Sequence, residues 1–297
     1  MTRIERYTHL NNFKESFAFN ACLLAAALIF FMFLSIVLYV FWRGMPEAFS
    51  LNYLFSAPEG GRNDGGGVSY PLLGTIYIVL ASLALSAPIG VFAAVQLTEY
   101  ANPKSPFTQL ARFSIQSLAG IPSVIYGLFG LIFFVSLLGF KHSLLAGSFS
   151  LAIMILPFVI RATEESILAV PNSLRQASLA IGATKVQTIL KIVLPAASPG
   201  IFTGIMLGIG RAIAESAVLI LATGGSITVL PRLISGEYPF LLADSGRTLS
   251  VHLYYQATSY DSTGKAFATS AILIMLICLI NVLTWAFFQK KIKNRGN

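Results

Sequence analysis

The sequence predicts an all-α integral membrane protein: six transmembrane helices in one bundle, with both termini in the cytoplasm. Three observations predict it. Of 297 residues, 56% are hydrophobic and only 11% charged, against about 25% charged in a soluble domain, and mean hydropathy is +0.76. Apolar runs recur at the length of about 20 residues that a hydrocarbon core requires. The cations gather at the ends of those runs, where they set topology.

Residues 1–18 form a short tail carrying Arg3, Arg6 and Lys14. The first span is Phe19–Trp42, interrupted only by Asn20, Ser35 and Tyr39. Its apolar run is longer than that of a secretory signal and no small-residue cleavage site follows, so it reads as a retained anchor. With the external loop after it, it makes up residues 19–69. Within that loop "PEGGRNDGGG" (58–67) lacks the Lys-Ser/Thr and the strand–helix context of a phosphate-cradling P-loop, and reads as a flexible linker.

The remaining spans are Tyr70–Leu97, Phe113–Leu137, Leu144–Ile160, Gly200–Thr223 and Phe267–Phe288, followed by a basic tail at 289–297. Leu144–Ile160 is the shortest. Pro88 and Pro157 predict kinks, which neighbouring helices in a bundle accommodate.

Orientation follows from the cations. Arg3, Arg6, Lys14, Lys104, Arg112, Arg161, Arg175, Lys185, Lys191, Lys290, Lys291, Lys293 and Arg295 fall on one side, against Arg43, Arg62, Lys141, Arg232, Arg247 and Lys265 on the other. The richer side is cytoplasmic, which puts both termini there.

The net charge of +8 does not indicate nucleic acid, because no basic patch sits on a soluble face. Cys22 and Cys278 lie inside apolar runs, which argues against a disulfide or metal framework. His9, His142 and His252 are far apart, with no metal-ligand spacing and no nucleophile beside them. Nothing in the pattern indicates an enzyme or a cofactor bound by this chain.

The 161–199 loop has a design of its own. Pro171 is expected to end one short helix. Ser173 and Gln176 have capping-box spacing for the next, Gly182 suits its C-terminus, and Thr184 and Gln187 repeat the box for a third. Pro195 and Pro199 then close the segment. Leu174, Ala177, Leu179, Ala180 and Ile181 give the corner an apolar surface, which either docks a partner or packs on the bundle.

"QASLAIGATKVQTILKIVLP" resembles the EAA loop of ABC-type importer permeases: E-A-A, three residues, Gly, nine residues, Ile, one residue, Leu-Pro. Ala177, Gly182, Ile192, Leu194 and Pro195 match, while Gln176 and Ser178 stand where the first and third letters fall. The resemblance implies a type I importer permease domain over 70–288, with the 173–195 stretch inserting into a separate ATPase subunit. The ATP and Mg would be used by that partner, since this chain has no Walker A motif; it would be a transport subunit.

"SAPIGVFAAVQLTEYA" (86–101), "LAGIPSVIYGLFGL" (118–131), "LPFVIRATEESILAVP" (156–171) and "GIGRAIAESAVLILATGG" (208–225) are similar to phosphate-import permeases of the Pst type. With "LPRLI" (230–234) and the basic tail they are most similar to the PstA subunit, although A-E-S-A-V stands here where that subunit commonly has G-E-T-A-P. The resemblance implies a PstC-like second permease to complete the pathway, PstB-like ATPases and a PstS-like phosphate-binding protein, all at the bacterial inner membrane.

Arg211 and Glu215 sit inside the fifth span, where a charge costs roughly 2.5–3.5 kcal/mol. At i and i+4 they share a helix face and can pair. Facing a translocation path would reduce the cost further, and the arginine fork matches phosphate oxygens. Ser216 and Thr223 would add hydroxyl donors. The alternative is an ion pair that only fixes helix packing. Arg161, at the end of the fourth span, resembles another arginine of the phosphate path, or serves as a topology anchor. Competing functions are a permease for molybdate, sulfate or phosphonate, a proton-coupled secondary anion transporter using Arg211 and Glu215, and a membrane sensor; no internal repeat and no signalling domain supports the last two.

Overall fold

The computed structural model describes residues 3–58, 66–226, 243–258 and 263–293. Most of the Gly-rich 58–67 stretch, the "LPRLI" segment and Arg295 therefore lie outside the described residues. Five helices are long and apolar enough to cross a membrane, and a bent pair makes a sixth crossing if counted as one.

Chain order is α1 (Arg3–Ala48), the short α2 (Leu51–Phe55), and α3 (Ser69–Val95), prolonged by a π turn over Gln96–Tyr100. Next come α4 (Pro106–Ala119), α5 (Ser123–Gly130) with a π turn over Leu131–Leu137, and α6 (Leu144–Leu168). Two short helices follow, α7 (Asn172–Ala180) and α8 (Lys185–Thr188); a π turn over Ile189–Val193 leads from α8 into α9 (Leu194–Ala214). The chain continues with α10 (Ala217–Thr223), α11 (Leu249–Thr258) and α12 (Thr263–Lys293).

The helix at the centre is α6. Two-thirds of the residues in its most apolar stretch are buried, whereas none of those in the most apolar stretch of α1 is, as suits a helix at the lipid-facing edge. Small residues bring its neighbours close. Gly200, Gly204 and Gly208 of α9 recur every fourth residue, and a Cβ at each would meet Ser166, Ala162 and Ile155 of α6. A Cβ at Gly90 of α3 would meet Val159 from the other side. Between lipid-embedded helices there is little hydrophobic drive, so this close approach supplies the packing. Ile78, Leu151, Ile155, Ile213 and Leu219 fill the core so formed.

Three expectations change. The fourth span does not end at Ile160: α6 runs to Leu168, because Arg161, Glu164 and Glu165 end the apolar run without ending the helix. It also contains Pro157 without a break. The third span is not one helix but α4 and α5, bent by 99°. Gly120 ends α4 and Pro122 starts α5 with extended backbone; a proline disfavours helical conformation in the residue before it. The fifth span is both longer and broken. Its helical run begins at Lys185, passing Pro195 and Pro199, and stops at Glu215, whose φ of −78° and ψ of 121° are extended. The π turn just before Pro195 widens the backbone where the ring would crowd the preceding carbonyls.

Residues 245–250 brace that break. The Ser250 hydroxyl donates to the Glu215 carbonyl at 2.7 Å, Ser245 Oγ to the Thr223 carbonyl at 2.6 Å, and Arg247 Nε to the Gly225 carbonyl at 2.9 Å. Beyond them α11 carries a buried polar chain. Gln256 joins His252 at 3.0 Å and the Tyr53 hydroxyl at 3.2 Å, and Thr269 of α12 lies 2.8 Å from that hydroxyl. Buried polar groups so satisfied fix one packing of α2, α11 and α12.

Candidate functional site

The charges of the fifth span lie at two helix ends created by the break. Arg211 is in the last turn of α9, where the helix dipole favours a cation, and Glu215 precedes α10, where it favours an anion. Glu215 is 8% exposed, and its Oε1 accepts from the backbone N–H groups of Ala217 at 3.2 Å and Val218 at 3.4 Å. Its Oε2 lies 3.8 Å from Arg211 Nη2. The expectation of one continuous helix face is therefore corrected: the two residues are brought together across a break, and the carboxylate is chiefly a cap.

Arg211 has no hydrogen-bond partner among the described residues, and its side chain is 47% exposed. Its guanidinium lies 5.9 Å from the centre of the Phe158 ring on α6. One turn along the same face of α6 is Arg161, with Nε 3.9 Å from Glu165 Oε1 and both side chains exposed. Beyond Arg161 a cavity of about 500 Å³ opens between α6 and α9, lined by Glu165, Ser166, Thr203 and Leu207 among others. Ser216 is half-buried at the start of α10. Thr223 is buried with its hydroxyl donated to the Leu219 carbonyl at 2.8 Å, so it adds no donor to this face.

The α7–α8 corner separates the motif residues into two groups. Gln176, Ala177 and Gly182 are exposed; Ile192, Leu194 and Pro195 are half-buried in the helical run leading into the bundle. Ser178 is buried, and its hydroxyl lies 2.9 Å from that of Thr188, tying α7 to α8. Gly182 has φ +84°, the left-handed conformation that glycine supplies without strain. The Thr184–Gln187 capping box forms. The Ser173–Gln176 box does not: α7 starts after Pro171 with no side-chain cap, which places Ser173 already inside the helix. Leu174, Leu179, Ile181, Val186 and Leu190 are exposed, Ile181 at 86%. The bundle does not cover this apolar corner.

Sequence reasoning missed the residues that hold the corner in place. Arg175 of α7 pairs with Glu99 of the α3 π turn at 2.9 Å, and Lys185 of α8 stands 4.6 Å from the Tyr100 ring centre. Arg112 of α4 pairs with Glu164 of α6 at 2.7 Å. In sequence these cations registered only as topology signals, since no local spacing links partners so distant; Arg175 and Glu99 are 76 positions apart.

The bundle of membrane-length apolar helices thus carries an ion pair within its fifth span and an uncovered apolar corner between its fourth and fifth. Residues 86–293 match the family described as binding-protein-dependent transport system inner membrane component, and the chain belongs to it: it is a permease subunit of an ABC importer, in the inner membrane. It is 33% identical over 273 residues to the phosphate transport system permease protein PstA of Haemophilus influenzae, covering 87% of this chain and 92% of that one. It is 30% identical over 270 residues to the probable ABC transporter permease protein YqgI of Bacillus subtilis, covering 87% and 90%. Its fold is similar to a chain of the bacterial alginate ABC transporter crystallised in complex with an alginate pentasaccharide-bound periplasmic protein, with TM-score 0.59 at 14% identity over 93% and 94% of the two chains.

Proposed function

We propose that the chain is the PstA-like permease subunit of an ATP-driven inorganic phosphate importer. One observation carries this reading. Arg211, Arg161 and Glu165 occupy an exposed face of α9 and α6, and charges of that kind do not face hydrocarbon without a large penalty. The face therefore borders water and a second, PstC-like permease, and Arg211 offers its unbonded fork to a phosphate oxygen pair. Glu215, held at the start of α10, moderates that grip so that the anion leaves. Arg161 guards the same path further along, and Ser216 adds a hydroxyl. The name of the Haemophilus influenzae relative supports phosphate as the anion.

The cation distribution supports cytoplasmic termini. On that side the apolar α7–α8 corner, with Gln176, Ala177 and Gly182 outermost, docks on a PstB-like ATPase that uses ATP and Mg. Ser178 holds the corner's shape, and Ile192, Leu194 and Pro195 carry its movement into α9. A PstS-like binding protein delivers phosphate from outside.

The test is reconstitution of the chain with its partner permease, ATPase and binding protein in vesicles, measuring labelled phosphate uptake with and without ATP under excess sulfate or molybdate. ATP-dependent uptake insensitive to both competitors supports phosphate. Uptake abolished by one competitor reassigns the anion, and uptake without ATP overturns the docking role of α7–α8.

A further inference from the structure

The attachment of α7 to the bundle converges on one side chain. Arg175 Nε and Nη2 both donate to Glu99 Oε1, at 3.0 and 2.9 Å. Nη2 also donates to the Ile167 carbonyl at 2.8 Å, and Nη1 to the Val170 carbonyl at 2.6 Å and to Asn172 Oδ1 at 3.3 Å. One guanidinium thus joins three elements: the π turn that ends α3, the last carbonyls of α6 and the first turn of α7. Helix C-termini leave such carbonyls without intrahelical donors, and a planar fork satisfies several at fixed angles where an ammonium does not.

Apolar packing does little to hold this junction. Leu174 and Leu179 of α7 are exposed, and beside the guanidinium lies a cavity of about 390 Å³ lined by Thr98, Glu99, Leu168, Pro171, Asn172 and Arg175. The apolar contacts nearby, among Ile167, Val170, Val193 and Ala197 with Val95 packed against them, join the ends of α3 and α6 to the start of α9 and include no residue of α7. The Ser178–Thr188 bond ties α7 to α8, and Lys185 on Tyr100 ties α8 to the same π turn. The side chains of Arg175 and Glu99 are 17% and 11% exposed, so their pairing is little screened by water.

We infer that Arg175 is a positioning residue that makes α7 move as one body with the ends of α3 and α6, so that force applied at the docking corner reaches the spans. This inference rests on the docking role of α7–α8 proposed above. It differs from docking itself: the Arg175 side chain is largely buried and its guanidinium bonds groups of this chain, and its role is transmission.

The experiment compares the wild-type complex in vesicles with Arg175→Lys, Arg175→Ala, Glu99→Ala and Glu99→Gln. ATPase co-purification, ATP hydrolysis and substrate uptake are measured on each. Arg175→Lys keeps the charge, so the complex assembles and hydrolyses ATP, while uptake per ATP falls about tenfold, the scale of one lost charge-assisted hydrogen bond. Glu99→Gln, which still accepts both N–H groups, retains most of the coupling that Glu99→Ala loses. Wild-type uptake per ATP in Arg175→Lys and Arg175→Ala overturns the inference, as does loss of uptake only in step with loss of the ATPase.

A second readout does not depend on the transported anion or on docking. Spin labels at Ser173→Cys on α7 and Phe92→Cys on α3, with Cys22 and Cys278 replaced by Ala, report the distance between the two helices in the full chain. A distribution that is narrow in the wild type and broad in Arg175→Lys supports the inference even where phosphate uptake or ATPase binding fails in the wild type. Equal widths overturn it.

Discussion

Glu215 Oε2 stands 3.8 Å from Arg211 Nη2 across a break in the fifth span, while Oε1 of the same carboxylate caps the helix that follows. The two oxygens thus have separate duties, and substitutions separate them. Glu215→Ala removes an N-terminal cap and lowers the stability of the chain by about 1 kcal/mol, seen as a lower unfolding temperature in detergent. Glu215→Gln keeps an acceptor for the Ala217 and Val218 N–H groups, so its unfolding temperature stays near the wild type. It removes the charge beside Arg211, however, and the anion is then held longer: KM for uptake falls and so does the maximal rate. Unchanged KM and rate in Glu215→Gln would show that the carboxylate acts only as a cap.

Arg211 projects from the bundle without a hydrogen-bond partner among the described residues; its removal takes the cation away from Glu215 Oε2, while the backbone N–H groups of Ala217 and Val218 still hold Oε1. Arg211→Ala is therefore expected to fold and assemble normally, with uptake lost and ATP hydrolysis retained. Arg211→Lys keeps the charge and loses the planar fork, and recovers only a small part of the uptake. Vesicle uptake beside ATP hydrolysis decides the matter; wild-type uptake in Arg211→Ala removes the residue from the path.

How far the molecule was legible in its sequence depended on whether the deciding physics is local. Gly182 and the Thr184–Gln187 box were readable because left-handed backbone and capping involve residues a few positions apart, and both features are present. The apolar runs located the spans for the same reason. The bend at Gly120–Pro122 was written in plain residues, but a run of hydrophobicity averages across it. The break at Glu215 was written locally only in part: its carboxylate caps the helix two and three residues on, but Ser250, 35 residues on, helps hold it open. The Arg175–Glu99 junction was not written locally at all, because nothing near either residue points to the other.

Gly182 turns the α7–α8 corner at φ +84°, and a Cβ there meets nothing within 4 Å. Any effect of substitution on folding is therefore conformational and not a clash. Asn tolerates the left-handed region, Ala less so, and a β-branched residue least. Unfolding temperature should fall in the order Gly182→Asn, Gly182→Ala, Gly182→Val, with about 1–3 kcal/mol lost at the far end. Gly182→Glu adds a charge to an apolar docking corner and should release the ATPase from the permease on co-purification. An intact, fully active Gly182→Glu complex overturns the docking assignment.

Tyr53 lies outside the membrane-spanning helices, in α2, and is bound to Thr269 and Gln256. Burial raises its pKa above the ordinary value near 10; the hydrogen bonds with Thr269 and Gln256 offset part of that rise, and the charge of Glu47 adds to it. The folded state therefore prefers the neutral phenol. A group whose folded pKa is raised contributes stability that is fully present below its unfolded value and is lost as pH rises through the folded one. Wild-type protein should hold its unfolding temperature up to about pH 10 and lose it steadily above. Tyr53→Phe leaves Thr269 and Gln256 short of a partner, which costs about 1 kcal/mol at neutral pH, but it removes this ionisation. Its unfolding temperature should start lower and fall less between pH 9 and pH 11.5. Parallel alkaline losses in the two proteins would assign the transition to another group and leave Tyr53 with a packing role alone.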